Sequence, residues 1–291
     1  MILYGQPVVQ QIKQGLAEFV SNNNLKDKIV KIFLFSDDKP SQVYVNLKKK
    51  FAQDIGLQAD IVNEPQIADF DKVAQMIDEA NNNSDVVGIV IQLPLNSHLQ
   101  AFRAQILASI KPTKDIDGLG GVLFGLAQIG LFDFLPATPA SVVKILRFYG
   151  FDDFEGKNIL VIGQSLLVGA PLATYLMSKW AEVISVNKFV DRQLLKKASL
   201  KADIIVSATW NIHLIDESFV RDDNSQILID VGWWIKDGKA VGDVNIDAIK
   251  DKVKAYTPVP WWVGPVTVAS LFENIKIIHE EVIPQLDNLF L

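Results

Sequence analysis

Asn158-Ile159-Leu160-Val161-Ile162-Gly163-Gln164-Ser165-Leu166-Leu167-Val168-Gly169 is the stretch on which the fold turns. The run from Asn158 to Ile162 is short, mostly apolar and rich in β-branched residues, which predicts a buried strand. Gly163 to Gly169 then reads as a turn, and a helix is expected to open at about Pro171. Strand, glycine turn and helix in that order aim backbone N–H groups and the positive end of a helix dipole at an anion. The fingerprint is imperfect: Ser165 stands where the middle glycine should be, and Gly169 falls one residue late. A plain βα turn is the alternative reading.

Outward from this stretch the same alternation repeats. Towards the N-terminus, Pro7–Val20 has helical spacing, Ile29–Phe35 reads as a buried strand, and Ser41–Ile55 as a helix with Ser41 as N-cap after Pro40. Gln58–Asn63 and Val86–Ile91 are further strands, with a helix over Ile67–Asn81 between them. Towards the C-terminus, Thr138 is expected to cap a helix over Pro139–Tyr149, with proline at its first position. Strands are expected at Val183–Val186, Ile204–Ser207 and Ile227–Val231, and an amphipathic helix over Thr267–Leu291. Strands alternating with helices imply parallel βαβ units and an α/β fold. Lys111–Pro139, with several Gly and Pro and no clean periodicity, is the expected junction between two domains. A length of 291 residues fits two domains as well.

Composition excludes several classes. With no cysteine there is no disulfide scaffold, cysteine zinc site or thiol nucleophile. His98, His213 and His279 lie far apart without ligand spacing, so no metal is expected. A net charge of -6 argues against nucleic acid and anionic membranes as partners. The N-terminal residues lack a basic segment followed by a long apolar one, and no apolar run reaches spanning length, so a cytoplasmic location is expected.

Three groups of residues carry chemistry. Tyr44 and Lys48 are four apart and share a helix face, where a hydroxyl and an amine can exchange a proton. Lys48-Lys49-Lys50 also reads as a solvated charge run, and on spacing alone that reading is the stronger. Gln92-Leu93-Pro94 follows a strand, and Asp115-Ile116-Asp117-Gly118 lies in the junction; ligands sit at the carboxyl ends of strands in open α/β sheets. Asp-Gly is equally an ordinary turn pair. The third group is the Gly163 turn. The strand after it ends at Val186-Asn187-Lys188, without the acid that usually meets a ribose 2′-hydroxyl. Lys188 could instead meet a 2′-phosphate, which leans to NADP over NAD.

Together these residues resemble the bifunctional methylenetetrahydrofolate dehydrogenase/methenyltetrahydrofolate cyclohydrolase family. The matching pieces are Ser41–Lys48, Val90–Leu95, Lys114–Gly118, Pro136–Pro139, Gly163–Pro171, Asp230–Gly232, Gly242–Val244, Thr257–Pro260 and Val263–Thr267, in the family's order along nearly the whole chain. The resemblance implies two α/β domains around a cleft, the second a Rossmann-type doubly wound parallel sheet. It implies residues 1–117 plus 267–291 for the folate and catalytic domain and 118–266 for the dinucleotide-binding domain. It implies tetrahydrofolate as substrate, NADP (or NAD) as cofactor and a homodimer. Lys48 matches the family's essential lysine, Tyr44 the tyrosine that stacks on folate, Gln92 the glutamine that orients the lysine, and Asp117 the carboxylate that holds the pterin. Pro260, Gly264 and Pro265 are expected beside the substrate; Gly163, Gln164, Ser165, Gly169, Lys188 and Trp233 beside the cofactor.

The departures cluster around the cofactor. Gln164 and Ala170 stand where the family shows arginine, and Asn187-Lys188-Phe189 replaces a His-Ser-basic segment. Trp210-Asn211-Ile212 replaces a Gly-x-Pro loop, Trp233-Trp234 a small residue and Asn, and Trp261-Trp262 a glycine pair. Glycines in such loops allow close backbone approach, so indoles there predict either a compensated repacking or a remodelled nicotinamide site. Gly120-Gly121 for His-Pro and Leu123 for Asn alter the pterin-facing loop too. Besides the bifunctional enzyme, two alternatives stay open: a cyclohydrolase alone, and a binding homologue without turnover.

Overall fold

The computed structural model describes residues 1–236, 239–259 and 263–289. It divides into two compact units: Gln10–Ala137 with Val268–Leu291, and Met1–Val9 with Thr138–Thr267. Each is built on its own parallel sheet.

In the first unit, strands β1 (Ile29–Leu34), β2 (Gln58–Asn63) and β3 (Val86–Gln92) lie in the order β2-β1-β3. All pairings are parallel, Ile32 standing opposite Ile61 on one side and Val90 on the other. Parallel neighbours need crossovers, and the helices Lys39–Asp54 and Phe70–Asn82 supply them. The central strand is apolar on both faces because helices cover both. Phe33 and Phe35 pack with Ile77, Val73, Ile89 and Ile91 in one buried cluster, each such side chain contributing roughly 1.5–3 kcal/mol on burial. The helix start differs from expectation. Asp38, not Ser41, is the N-cap: its carboxylate accepts the Ser41 N–H at 2.9 Å and the Ser41 hydroxyl at 2.7 Å. Lys39 and Pro40 are thereby drawn into the first turn, where a proline's missing N–H costs nothing. Likewise Asp69 caps Phe70–Asn82, so that helix begins after Ile67.

In the second unit, β4 (Asn158–Ile162), β5 (Glu182–Val186), β6 (Ile204–Ser207) and β7 (Ile227–Asp230) are parallel and joined by the two-residue β10 (Ala255–Tyr256). The hairpin of β8 (Trp234–Lys236) and β9 (Lys239–Val241) stands beside them as a separate antiparallel pair. The order β10-β7-β6-β4-β5 means that the chain steps from β4 out to β5, then returns across β4 to β6. That reversal makes a doubly wound sheet with its switch point between β4 and β6.

Two segments, 118–137 and 1–9, pack with the other unit from the one expected. Residues 118–137 stay with the first unit because Gly118 lies against Phe134 and Pro136, and the buried Asn274 amide donates to Ile116 O at 2.9 Å and Leu135 O at 3.1 Å. Met1–Val9 joins the second unit because the chain start extends its sheet: Leu3 N–H donates to Tyr256 O, and Tyr256 N–H to Met1 O. Thr138 is a helical residue of Ala137–Phe148 rather than its cap. The Thr267–Leu291 helix starts earlier, at Val263, and is broken by a π-turn at Ile278–Val282.

Candidate active site

The helix Lys39–Asp54 is amphipathic, and it is turned so that Val45, Lys48 and Phe51 face inward. Lys48 is 9% exposed while Lys49 and Lys50 face solvent, so the three lysines are not one charge run. Tyr44, one turn earlier, is half-buried. The helix start is tied to the end of β3 by Ser41, whose hydroxyl donates to Leu93 O at 3.2 Å.

Gln92 closes β3, and its amide is oriented unambiguously. Its Nε2 donates to Leu93 O at 2.8 Å, so Oε1 must point the other way, where it accepts from Lys48 Nζ at 2.8 Å. Burial without a full set of acceptors holds the Lys48 ammonium below the ordinary lysine range; the Asp117 charge opposes that shift but is the smaller effect. Asp117 in turn is raised by burial and lowered by Lys48. The first unit therefore brings Lys48, Gln92 and Asp117 into one electrostatic group.

The loop that presents Asp117 is held by Asp115, a residue quoted in the motif but given no role there. Asp115 is 2% exposed, and its carboxylate accepts N–H bonds from Gly118 (3.0 Å), Leu119 (3.3 Å) and Gly120 (2.8 Å). Burial pushes its carboxyl up to about 6 despite those donors. Gly118 has φ +71, and a Cβ there would lie 2.5 Å from Phe134 Cε1. At Gly120 a Cβ would come within 2.9 Å of both Asp115 Oδ2 and Leu107 O, so the glycine is what lets the loop close on Asp115. Leu123 is fully buried. The spacing Asp-x-Asp-Gly was the available signal for Asp115; Asn274, in the C-terminal helix, carried none.

In the second unit the Gly163 turn opens the helix Gly169–Ser178. Gly163 (φ +107) and Gly169 leave no room for a Cβ, against Ala208 O and Gly163 O respectively. Ser165 turns back on the turn itself, accepting from Val168 and Ala170 N–H groups. Gln164 bridges to the end of β5: its amide donates to Ser185 O at 3.0 Å and accepts from Asn187 Nδ2 at 2.8 Å. Lys188 is exposed with its ammonium 5.1 Å from the Phe189 ring centroid. Trp233 is half-buried just past β7. Gly264 and Pro265 lie half-buried in the first turn of Val263–Ile277. Pro260, Trp261 and Trp262 lie outside the described residues.

Two buried carboxylates frame the loops after β6 and β7. Asp243 accepts from the Ser207 hydroxyl, from both N–H and hydroxyl of Thr209, and from Asn211 N–H at 2.9 Å. Asp230 accepts from the N–H groups of Gly232, Asp243 and Val244. Burial first, and the Asp243 charge second, push the Asp230 carboxyl up to about 8.

A family model described as the catalytic domain of tetrahydrofolate dehydrogenase/cyclohydrolase matches residues 3–117. The model of that family's NAD(P)-binding domain matches residues 136–282. A bifunctional protein FolD from Aquifex aeolicus (strain VF5) is 33% identical over 278 residues, covering 94% of this chain and 93% of the relative. The crystal structure of the bifunctional FolD methylenetetrahydrofolate dehydrogenase/cyclohydrolase from Campylobacter jejuni is 33% identical with a TM-score of 0.87, over 96% of this chain and 98% of that one. The Trypanosoma brucei dehydrogenase-cyclohydrolase, solved with NADP cofactor and inhibitor, is 28% identical with a TM-score of 0.89, over 97% and 98%. With both halves matched in order and a third of the residues identical along nearly its whole length, the chain belongs to the tetrahydrofolate dehydrogenase/cyclohydrolase family.

Proposed function

We propose that the chain carries out two consecutive steps of one-carbon folate metabolism. The first is oxidation of 5,10-methylenetetrahydrofolate to 5,10-methenyltetrahydrofolate with NADP. The second is hydrolysis of the methenyl form to 10-formyltetrahydrofolate. The observation that carries the reading is the buried Lys48–Gln92 pair with Asp117 in its field.

A lysine held below its ordinary pKa is neutral for part of the time near pH 7. In that state one N–H is donated to Gln92 Oε1, and the nitrogen lone pair is free for another proton. Water adding to the methenyl carbon gives that proton to Lys48. The carbon–nitrogen bond to the ring then breaks, the ring nitrogen takes up a proton, and one proton is released in all. Asp117 holds the pterin, and Tyr44 on the turn before Lys48 packs against it. Gly264 and Pro265 would line the substrate, with Pro260 outside the described residues.

The residues of the second unit suit a dinucleotide. Its glycine turn lies at the carboxyl end of β4, beside the switch point. No carboxylate ends β5, the nearest one downstream, Asp191, being committed to capping Arg192–Lys201. Lys188 at that position favours a cofactor bearing a 2′-phosphate, with NAD as the alternative. A bound nicotinamide would accept hydride from the one-carbon bridge. Gly163, Gln164, Ser165, Gly169, Lys188 and Trp233 are the residues that would hold it. The reading also carries a homodimer, checked by light scattering against the 32.3 kDa chain, and a cytoplasmic location, checked by fractionation. No helix among the described residues is long and apolar enough to cross a membrane.

The test supplies 5,10-methylenetetrahydrofolate with NADP, then NAD, to purified protein and follows reduced nicotinamide and 10-formyl product together. Methenyltetrahydrofolate is run alongside, with Lys48→Ala as the comparison. Cofactor reduction and accelerated hydrolysis are expected, hydrolysis being lost in Lys48→Ala while folate binding persists. Accelerated hydrolysis without reduction leaves a cyclohydrolase alone. Full hydrolysis by Lys48→Ala removes the lysine from its role.

A further inference from the structure

Each loop at the carboxyl end of β4, β5, β6 and β7 presents a large apolar side chain to solvent: Leu166, Phe189, Trp210 and Trp234. Trp210 is 60% exposed and Trp234 51%, yet the two rings meet edge-to-face with centroids 6.2 Å apart. Two exposed indoles in contact form an apolar patch, and such patches mark binding surfaces, unlike Trp180, which is exposed singly. These two are also held on a fixed backbone. Trp210 sits at φ +61, a conformation that L side chains rarely adopt, between Thr209 and Asn211, whose N–H groups both donate to the buried Asp243. Trp234 begins the β8–β9 hairpin, two residues after Gly232, which donates to the buried Asp230. A left-handed position tied down on both sides to a buried carboxylate, with its indole paired to a second exposed indole, points to a ligand for that pair.

The topology says which ligand. In a doubly wound sheet the pyrophosphate lies at the first turn, here Gly163, and the adenosine ribose at the end of the next strand, here β5. The other half of the dinucleotide then extends across the switch point, over β6 and β7, where both indoles stand. We propose that Trp210 and Trp234 form an L-shaped aromatic platform for the nicotinamide ring, one indole against its face and the other against its edge, so that this chain grips that half of the cofactor by aromatic contact. This rests on the dinucleotide reading above. A flat pyridinium ring against an indole face gains cation–π attraction and removes ring area from water on both partners, and stacking of a flat heterocycle on an aromatic side chain is substantial.

The test uses the whole protein and three probes measured by calorimetry and tryptophan fluorescence: NADP, nicotinamide mononucleotide, and adenosine 2′,5′-bisphosphate. The variants are Trp210→Leu, Trp234→Leu and the double variant, which keep an apolar side chain at each position. The wild type is expected to show quenching with NADP and with the mononucleotide. Each variant should weaken both by roughly five- to a hundred-fold, the range of one lost stacking contact, while binding of the adenosine bisphosphate stays unchanged. Equal NADP affinity in wild type and double variant overturns the platform, and leaves the dinucleotide reading standing if the bisphosphate still binds. If no probe binds the wild type, both fall together. If the double variant changes the oligomeric state with cofactor affinity intact, the indoles face a second copy and the platform is refuted.

Discussion

Replacing Gln92 with glutamate tests the electrostatic basis of the reaction at one atom. Gln92 Oε1 lies 2.8 Å from Lys48 Nζ, and Leu93 O fixes which end of the amide faces the lysine. Glutamate keeps the shape and the acceptor facing Lys48; it adds a charge and gives up the Nε2 donor to Leu93 O, a loss that Gln92→Met shares. Two unit charges about 4 Å apart at an effective dielectric of about 20 attract by about 4 kcal/mol. Because Lys48 is 9% exposed, solvent screening is limited, and most of that figure applies. At about 1.4 kcal/mol per pKa unit, the Lys48 pKa rises by about two to three units. A raised lysine stays protonated to higher pH and cannot take a proton from water. Methenyl hydrolysis by Gln92→Glu at pH 7 should therefore fall by about 100- to 1,000-fold, and the rising limb of its pH–rate profile should move up by the same two to three units. Gln92→Met, which removes the hydrogen bond without adding charge, should lose rate with its limb near the wild-type position or below it. Stopped-flow absorbance of methenyltetrahydrofolate across pH gives both profiles. A Gln92→Glu limb that coincides with the wild type would refute the view that Lys48 must be neutral to act.

Two further predictions concern the scaffold of the site. Asn274→Ala leaves Ile116 O and Leu135 O without their donor inside the protein; a drop of about 2–4 kcal/mol in unfolding free energy is expected from urea denaturation, and an unchanged midpoint would show that the pair is dispensable. Asp115 has its folded pKa raised to about 6 from 3.8, so the folded protein binds that proton more tightly than the unfolded chain. Its contribution to stability is present below pH 4 and lost as pH rises to about 6, by up to about 3 kcal/mol; Asp115→Asn should flatten that slope in a pH series of urea midpoints, and a slope equal to the wild type would contradict it.

Much of the architecture was legible because it rests on local pattern. Apolar runs such as Val86–Ile91 and Ile159–Ile162 can be strands only if both faces are covered, and alternation with helices makes them parallel. The ordered motifs from Ser41 to Thr267 carry family membership. Helix starts were less legible: Ser41 and Asp38 are both good caps, and which one serves depends on where the chain leaves β1. The division at 137/138 falls within the expected junction of Lys111–Pro139, but its exact place was not legible, for a related reason. Whether 118–137 belongs with one sheet or the other is decided by Asn274, far along the chain, and no window around residue 118 contains it.

The sequence by itself determined the alternation, the two sheets and the candidates for chemistry. Only tertiary structure decided what those residues experience. Lys48, Lys49 and Lys50 are equivalent as letters; the turn of one helix against β3 buries the first beside Gln92 and leaves the others in water. Asp115 reads as a turn carboxylate, and Asp230 and Asp243 only as letters of matched motifs, until packing collects backbone N–H groups around them from residues up to 34 positions away. Burial and long-range hydrogen bonding set charge state, and both are sums over neighbours that the linear order does not place together.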